Sequence, residues 1–394
     1  MINTYSHMKK ILFVVLSVLG VSCTKVSEME KVIESVAALS AEQCLILADS
    51  LTNETMPKTF QDGKFVPSNL KWWCSGFFPG TCWYSYMLTG NEEVLELAIE
   101  QTDRMLDVDS YFRDHDIGFQ IMCSAGLAYR NTGNEKYLTA IMRAAELLAG
   151  RYTEATGLIR SWDNPKYSYP VIIDNMMNLE LLTFAAEKFE VPQWRNIAVS
   201  HADRTMKNHF RPDYSSYHMV DYIPENGEIL IKRTVQGYND ESSWSRGQSW
   251  GLYGYTMMYR ETGEERYLTH AENIAEYLLP MLADRPVPAW DFDAPADMSD
   301  QDDASAAAVI ASALIELSTL TKNKDFSLKC LSQAEATLNA LASPEYLAEK
   351  GEIGGFILKH SCGFYLKDSE VDVPLTYADY YFLEALHRYK SLER

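Results

Sequence analysis

The sequence predicts an all-α protein built from repeated helical hairpins. One short segment recurs at 86–92, 129–138 and 259–268, each time with Thr-Gly and then glutamate within two residues. The first two copies lie roughly 43 residues apart, and the third lies about three such periods further on. Apolar residues recur at helical spacing between the copies, and alternation typical of strands is rare. The clearest helical stretches are 141–152, 271–282 and 333–341.

The recurring segment is typical of a turn between two helices. Its glycines, Gly90, Gly133 and Gly263, can adopt the positive φ that ends a helix. The acidic residue that follows suits the start of the next helix. About six such hairpins would form either an open solenoid or a closed ring. The Trp, Tyr and Gly residues of the connecting loops favour the ring, because such loops would crowd one mouth and line a pocket.

Composition limits the classes of function. The chain has 394 residues, of which 47% are hydrophobic and 23% charged, enough for one large core or two ordinary ones. Its formal net charge of −20 argues against nucleic acid as a partner, since nucleic-acid binding needs a basic face. If the ligand is an anionic sugar, any cationic site residue must act against an unfavourable global field.

The N-terminal sequence has the pattern of a bacterial export signal. A Lys9-Lys10 pair precedes an apolar run at 11–19, which is too short to span a bilayer. The sequence Leu-Gly-Val-Ser-Cys at 19–23 resembles a lipoprotein cleavage site, which would make Cys23 the lipidated first residue. We therefore expect residues 1–23 to form an export signal of the lipoprotein type, and the protein to be exported to the periplasm or anchored to a membrane as a lipoprotein.

The remaining cysteines do not form a metal-binding pattern. Cys44, Cys123 and Cys330 lie in apolar, helix-like stretches, and no CxxC pair occurs. We expect buried free thiols and no zinc. Cys74 and Cys82 are close enough in sequence to permit a disulfide, although nothing in their spacing requires one.

Two aspartates stand where helices are predicted to begin. Asp116 precedes the apolar run 117–129, and Asp174 precedes the run 176–189. An aspartate in this position is commonly an N-cap that accepts hydrogen bonds from the first backbone N–H groups.

The surroundings of these two aspartates indicate more than capping. An N-cap does not need His115 beside Asp116, nor the Trp-Asp-Asn loop at 162–164 upstream of Asp174. Helix starts on one rim of a ring would bring both carboxylates together. Paired carboxylates separate their pKa values, so that one can hold a proton. The pair therefore predicts acid-base chemistry on a sugar.

A third cluster combines aromatic residues, glycines and one arginine at 234–254. Arg246 could grip a carboxylate with its planar fork, and Trp244 or Trp250 could stack on a sugar. The alternative is that Trp250 belongs to the core and Arg246 to a structural ion pair. The nearby glycines favour the first interpretation. The Trp-rich loop at 72–80 could plug the ring, and His218 alone would be an ordinary half-buried histidine.

Taken together, these motifs resemble those of glycoside hydrolase family 88, the unsaturated glucuronyl hydrolases. Five stretches match in order: WCSGFFPG at 73–80, HDIGF at 115–119, DNMMN at 174–178, SRGQSWGLYG at 245–254 and DDASA at 302–306. The resemblance implies an (α/α)6 barrel, formed by residues 24–394 as a single catalytic domain. It also implies a substrate, an oligosaccharide that a polysaccharide lyase has left with a 4,5-unsaturated uronic acid at its end.

The family resemblance further implies a mechanism in which the C4=C5 vinyl ether is hydrated. The residue at Asp174 protonates C4 and activates a water that attacks C5, and Asp116 positions Asp174 or the substrate. No metal or other cofactor is implied. The residues that match the pocket around the uronate are His218, Gln236, Arg246 and Trp250, with Trp73, His115 and Trp162 as its walls.

The segment 359–367 matches incompletely the serine and lysine motif that some relatives use for sulfated sugars. Ser361 and Lys367 could contact a sulfate or be ordinary loop residues. Two other functions remain open at this point. One is an unsaturated rhamnogalacturonyl hydrolase that acts on pectin fragments. The DNMMN motif argues against this alternative, because it looks more like the glucuronyl family. The other is a helical lipoprotein that binds glycans without catalysis, which would not require the Asp116–Asp174 pair.

Overall fold

The computed structural model describes residues 27–392, most of which are helical. The α-helices in chain order are α1 (Glu28–Ala48), α2 (Phe77–Thr89), α3 (Glu92–Asp103), α4 (Val108–Tyr111), α5 (Ile117–Ile121), α6 (Leu127–Thr132), α7 (Lys136–Ala149), α8 (Leu179–Lys188), α9 (Pro192–Asn208), α10 (Ser245–Thr262), α11 (Glu265–Asp284), α12 (Ala304–Leu320), α13 (Lys324–Leu341) and α14 (Thr376–Leu392). A π-helix (Met122–Gly126) joins α5 to α6, and a 3-10 helix (Ile173–Asn178) leads into α8.

Six helical segments form a closed inner ring. In order around the ring they are α2, the α5–α6 segment, the 3-10 helix with α8, α10, α12 and α14, and α14 packs back against α2. These segments are buried on nearly all sides; in α12, for example, every residue of 304–315 is buried. A helix that is apolar all round belongs in an interior. The ring, rather than the open solenoid, is therefore the architecture.

The outer layer consists of α1, α3, α7, α9, α11 and α13. Apart from α1, each follows an inner segment in the chain and packs on it or on its neighbours. These helices bury one face and leave the other to solvent, as their mixed sequences require. The first helix, α1, packs against α2 and α14 and so completes the outer layer where the ring closes. The all-α prediction and the (α/α)6 barrel are confirmed.

The predicted turns lie where the recurring segment placed them. Gly90, Gly133 and Gly263 end α2, α6 and α10 with φ of 70°, 65° and 70°, and each donates its N–H to a carbonyl of the last turn. Positive φ is the conformation that glycine adopts without strain. Each of these inner segments therefore ends at the same end of the ring, away from the helix starts that carry the candidate aspartates.

The helix boundaries differ from the predicted stretches in two places. The stretch 141–152 is too long at its C-terminal end, because α7 ends at Ala149 and Tyr152 opens a short strand. The run 117–129 is helical throughout but contains the π-helical turn. All six cysteines of the described residues are free and buried, so Cys74 and Cys82 form no disulfide.

Short strands occupy the loops at the helix starts. They are β1 (Thr55–Gln61), β2 (Lys64–Asn69), β3 (Tyr152–Thr153), β4 (Leu158–Ile159), β5 (Pro170–Ile172), β6 (Met219–Tyr222), β7 (Ile229–Arg233), β8 (Ser361–Phe364) and β9 (Ser369–Val373). They form antiparallel hairpins and one three-stranded sheet in the order β5-β6-β7. Sequence patterning did not reveal these strands, most of which have five residues or fewer and so leave almost no alternating pattern.

The predicted export signal and Cys23 lie outside the described residues. Between residues 27 and 392, no helix combines the length and the apolar character that crossing a membrane demands.

Candidate active site

A cavity of about 120 Å³ opens at the end of the ring where the inner segments begin. Six of the nine predicted site residues line it, and two further residues join them. The lining residues are Trp73, Arg113, Asp116, Trp162, Ile172, Asp174, Gln236 and Arg246. The other three predicted residues, His115, His218 and Trp250, are buried in its walls. The fold therefore gathers residues that are up to 177 positions apart in the chain.

Both aspartates stand at helix starts, as predicted, but neither caps its helix. Asp116 immediately precedes α5 and makes no capping hydrogen bond through its side chain. Asp174 is the second residue of the 3-10 helix, which also lacks a side-chain cap. Because the carboxylates are not used to hold backbone N–H groups, both are available to the cavity.

The three-stranded sheet brings His218 to Asp174. Strand β5 ends just before Asp174, and its residue Ile172 pairs with Met219 of β6. The next ladder bond runs from the N–H of Ile173 to the carbonyl of His218, at 2.9 Å. His218 Nε2 then lies 3.8 Å from Asp174 Oδ2. This pairing depends on β5 and β6, which sequence patterning did not reveal.

The tautomer of His218 follows from its hydrogen bonds. Its Nδ1 accepts from the backbone N–H groups of Val235 and Gln236, at 3.2 and 3.1 Å. The proton of the neutral ring must therefore be on Nε2, the atom that faces Asp174. Burial lowers the pKa of His218 to about 3, so the ring stays neutral at physiological pH. Trp244 stacks on the imidazole, with ring centroids 4.5 Å apart.

His115 has the same relation to Asp116. Its Nδ1 lies 3.0 Å from Asn178 Nδ2, and its Nε2 lies 3.4 Å from Asp116 Oδ1. The amide of Asn178 is oriented by its other end, because its Oδ1 accepts the N–H of Phe119 at 2.8 Å. Nδ2 must therefore donate to His115, which again leaves the ring proton on Nε2. Burial lowers the pKa of His115 to about 4.

Asn178 was missed in the sequence, although it is the last residue of the DNMMN motif. It lies one helical turn after Asp174 and reaches across to the segment that carries Asp116. Gly118 permits this approach, since a Cβ there would lie 2.4 Å from Asn178 Oδ1. The glycine after the HDI triplet is the one sequence signal that could have pointed to such a close contact.

The two carboxyl groups differ in their electrostatic neighbours. Burial raises the pKa of Asp174 to about 7, although Arg246 and the indole of Trp250 act in the opposite direction. Burial also raises the pKa of Asp116 well above its usual range, and the negative charges of Asp114 and Asp174 raise it further. Two acidic neighbours thus disfavour the carboxylate form of Asp116, whereas the charge of Arg246 favours the carboxylate form of Asp174.

Arg246 is engaged by the protein itself. Its Nη1 donates to Asp303 Oδ2 at 2.9 Å and to the carbonyl of Cys362, and its Nη2 donates to the carbonyl of Gly363 at 2.7 Å. The side chains of Arg246 and Asp303 are both almost fully buried. The protein therefore uses three of the five N–H donors of Arg246, and the prediction that its fork grips a substrate carboxylate now concerns the remaining Nη2–H and Nε–H. The alternative, a structural ion pair, describes its terminal nitrogens, although the side chain still lines the cavity.

The aromatic residues also divide into two kinds. Trp73 and Trp162 are half-buried and line the cavity, as predicted walls. Trp250 has no exposed surface; it packs against Phe119 and Tyr381 at centroid distances of 5.3 and 5.5 Å. A stacking role for Trp250 therefore does not fit the structure. Its indole instead lies beneath the Asp174 carboxyl.

Gln236 and the hairpin β8–β9 close one side of the cavity. Gln236 donates through Nε2 to the carbonyl of Gly363, the acceptor that Arg246 also uses. Ser361 is fully buried in β8, whereas Lys367 is exposed after the hairpin turn. Neither of these two residues lines the cavity.

Four buried polar atoms at the two carboxyl groups have no hydrogen-bond partner. They are His115 Nε2, Asp174 Oδ2, His218 Nε2 and Trp250 Nε1. Unpaired buried polar groups are costly in folded proteins, and these four lie together at the two carboxyl groups of the cavity. Elsewhere in residues 27–392, no group of three or more His, Cys, Asp or Glu side chains is arranged to hold a metal ion.

Comparison with known proteins agrees with this geometry. The model of Glycosyl Hydrolase Family 88 matches residues 48–391. The unsaturated glucuronyl hydrolase of Formosa agariphila is 44% identical over 333 residues, covering 83% of this chain and 82% of the relative. The unsaturated chondroitin disaccharide hydrolase of Streptococcus agalactiae is 30% identical over 377 residues, covering 93% and 92%.

Solved structures give the same assignment. The crystal structure of an unsaturated glucuronyl hydrolase specific for heparin superposes with a TM-score of 0.89 at 45% identity, over 92% of this chain and 98% of that one. Similarity at this level extends over most of the chain. The chain is thus a glycoside hydrolase, and it belongs to family 88.

Proposed function

We propose that this protein removes the terminal 4,5-unsaturated uronic acid from glycosaminoglycan fragments produced by polysaccharide lyases. The observation that carries the proposal is the pair of buried aspartates in one cavity, of which Asp174 has its pKa raised to about 7. A carboxyl group with this pKa can give up and recover a proton near neutral pH, as a general acid-base catalyst must.

Asp174 is the proposed proton donor. Its carboxylic acid transfers the proton to C4 while the electrons of the C4=C5 bond form the new C–H bond, and an oxocarbenium-like cation develops at C5. The carboxylate left on Asp174 then accepts a proton from water as the water oxygen bonds to C5. The resulting hemiketal opens, and the neighbouring sugar leaves with its glycosidic oxygen. Asp174 ends each cycle protonated, so no other proton source is required.

His218 and Trp250 assist Asp174 without exchanging protons. Both direct their N–H groups to its carboxyl region from fully buried positions, and neither N–H has another acceptor among residues 27–392. As the carboxylate forms, these donors stabilise the new negative charge. The low pKa of His218 keeps its ring in the neutral form throughout.

Asp116 is the proposed partner in binding and positioning. In its protonated form Asp116 donates a hydrogen bond to the substrate, and His115 Nε2 lies 3.4 Å from its Oδ1. The walls of the cavity, Trp73 and Trp162, provide flat apolar surfaces for the sugar ring.

The substrate class follows from relatives that act on related fragments. One relative is named for chondroitin disaccharides, and a structure of 45% identity is described as specific for heparin. Glycosaminoglycan fragments are common to both. We therefore include unsaturated disaccharides from chondroitin and heparin as substrates, and the rhamnogalacturonan product as the comparison for the pectin alternative.

The test is an ultraviolet assay of double-bond loss with each of these three substrates. We expect loss with at least one glycosaminoglycan product and none with the rhamnogalacturonan product. Asp174→Asn should abolish turnover while its circular dichroism spectrum and melting temperature show an intact fold. Failure of the wild-type protein on every substrate would overturn the proposed activity; normal turnover by the variant would overturn the role of Asp174 alone.

We also propose that the protein is an exported lipoprotein anchored through Cys23. The Lys9-Lys10 pair, the apolar run at 11–19 and the small residues before Cys23 support this proposal. Cells that express the tagged protein should incorporate a labelled fatty acid into it and retain it in the membrane fraction. A Cys23→Ser variant should lose the label, and a wild-type protein that is never labelled would contradict the anchor.

A further inference from the structure

Two arginines line the catalytic cavity, but they differ in what their terminal nitrogens bind. The Nη1 and Nη2 atoms of Arg246 are taken by Asp303, Cys362 and Gly363, and its charge is balanced by a fully buried carboxylate. Three of the five N–H donors of Arg246 are therefore used within the protein, and only one Nη2–H and the Nε–H remain for an anion in the cavity.

Arg113 has the opposite arrangement. Its Nε donates to Asp114 Oδ2 at 2.7 Å, and within residues 27–392 its terminal Nη1 and Nη2 atoms donate no hydrogen bond. The side chain is 50% exposed and lines the cavity that holds Asp116 and Asp174. An arginine held through Nε presents its end-on pair of N–H donors, which matches the two oxygens of a carboxylate or sulfate.

Asp114 fixes this orientation from both sides. Besides the bond to Arg113, its Oδ1 accepts the backbone N–H of Asp116 at 3.1 Å. Asp114 is buried, and its charged neighbours keep it ionised. The cation is thus tied to the same short segment that carries a catalytic-site carboxyl group, so its distance from that group is set by the backbone.

Lys58, a second cation near Arg113, is less suited to bind an anion in the cavity. Lys58 lies 4.8 Å from the ring centroid of Trp72, while the Arg113 guanidinium lies 6.0 Å from the same ring. Lys58 pairs with Glu370 at 3.6 Å, and it does not line the cavity. Arg113 is therefore the cavity cation whose hydrogen-bonding edge remains open.

We propose that Arg113 binds an oxyanion of the substrate, either the uronate carboxylate or a sulfate ester, through Nη1 and Nη2 while Asp114 holds Nε. This inference rests on the proposed function, because it assigns a contact made by the substrate in the same cavity. The proposal also explains how a chain with a net charge of −20 binds an anionic sugar, because Arg113 would attract the anion locally through directed hydrogen bonds.

The test compares Arg113→Gln, Arg113→Lys and the wild-type protein on a pair of unsaturated disaccharides that differ only in a sulfate. Arg113→Gln should raise KM by about ten- to a hundredfold, the value of a charge-assisted contact, with kcat changed by less than about threefold. Arg113→Lys should recover part of the loss, because it keeps the charge but not the two-pronged geometry. Arg143→Gln, which removes an exposed ion-paired arginine far from the cavity, is the matched control.

The pattern of losses identifies the anion. An equal rise in KM for both disaccharides would show that Arg113 binds the carboxylate. A rise confined to the sulfated disaccharide would show that it binds the sulfate. Unchanged KM for both in Arg113→Gln would overturn the inference while leaving the enzyme's activity established. Calorimetric binding to Asp174→Asn, with and without Arg113→Gln, gives the same comparison without turnover; equal affinities there would also overturn it.

Discussion

The two halves of the active site are built on one plan and differ in their electrostatic neighbours. In each half, a buried neutral histidine turns Nε2–H toward an aspartate, because its Nδ1 already accepts a hydrogen bond. Asp116, however, stands beside the ionised Asp114, whereas Asp174 faces the charge of Arg246. The comparison teaches that similar histidine partners can accompany unequal electrostatic surroundings, which supports the unequal roles that we propose for Asp116 and Asp174.

The sharpest test of this inequality compares the two asparagine variants. Asp174→Asn should lower kcat by about a thousandfold or more, because it removes the only proposed proton donor. Asp116→Asn keeps a hydrogen-bond donor in place of a protonated acid, so we expect a loss of about ten- to a hundredfold, partly in KM. Steady-state kinetics on one glycosaminoglycan disaccharide measures both. Equal losses in kcat would mean that the two carboxyl groups share the chemistry.

A stability measurement probes the same difference without substrate. The folded-state pKa of Asp174, about 7, lies above its unfolded value near 3.9, so its stabilising contribution is complete below about pH 4 and is lost as pH rises through 7. Relative to wild type, Asp174→Asn should gain about 2 kcal/mol in unfolding free energy between pH 5 and pH 8, measured by urea titration.

Asp379 serves as the internal reference for that measurement. Burial also raises the pKa of Asp379 to about 7, against the effect of the hydrogen bonds that it accepts from the N–H groups of Ile357 and Leu358. Asp379 does not line the cavity. Because Asp379 titrates in both proteins, its contribution cancels. If the two proteins lose stability in parallel from pH 5 to pH 8, Asp174 does not have the raised pKa.

The pH dependence of activity should report the protonated form of Asp174. We expect kcat/KM to fall above about pH 7, by tenfold for each further pH unit, since the free enzyme loses its acid. Asp379→Asn should leave this alkaline limb in place. A flat profile from pH 6 to pH 9 would contradict proton donation by Asp174.

The smallest expected effect comes from Asn178. Asn178→Asp keeps the size of the side chain and the acceptor for the Phe119 N–H, but a carboxylate would draw the ring proton of His115 to Nδ1. Nε2 would then face Asp116 as an acceptor instead of a donor. We expect kcat to fall by about fivefold to tenfold, and the ring proton can be located by nitrogen NMR of labelled histidine. An Nε2-bound proton in the variant would remove the proposed cause.

The sequence predicted the ring of hairpins and the two aspartates from local signals, whereas most of the other cavity residues that it predicted came from the resemblance to family 88. Gly90, Gly133 and Gly263 mark helix ends through their own backbone conformation, and Asp116 and Asp174 mark helix starts. What sequence patterning could not supply depends on partners distant in the chain. The occupied fork of Arg246 follows from Asp303, 57 positions away, and the placement of His218 follows from two strands of three and four residues.

Two residues of the site were available in the sequence but carried no local signal. Asn178 has the same spacing from Asp174 as many core residues, and only the contact with His115 distinguishes it. Arg113 stands next to Asp114 in a charged stretch that is equally typical of a solvent-exposed loop. Trp250 was misjudged for the converse reason: glycines around it indicated close backbone approach, and the approach is to Met176 and Ile173, not to a ligand.

The parallel arrangement of the inner ring has a further electrostatic consequence. All six inner segments begin at the catalytic end, so their helix dipoles align, and each dipole is equivalent to about half a positive unit charge at its N-terminus. A uronate in the cavity meets these partial charges at short range, whereas the acidic surface acts through solvent and salt. The architecture itself therefore favours an anionic ligand, and the surface charge can vary among related barrels without removing that preference.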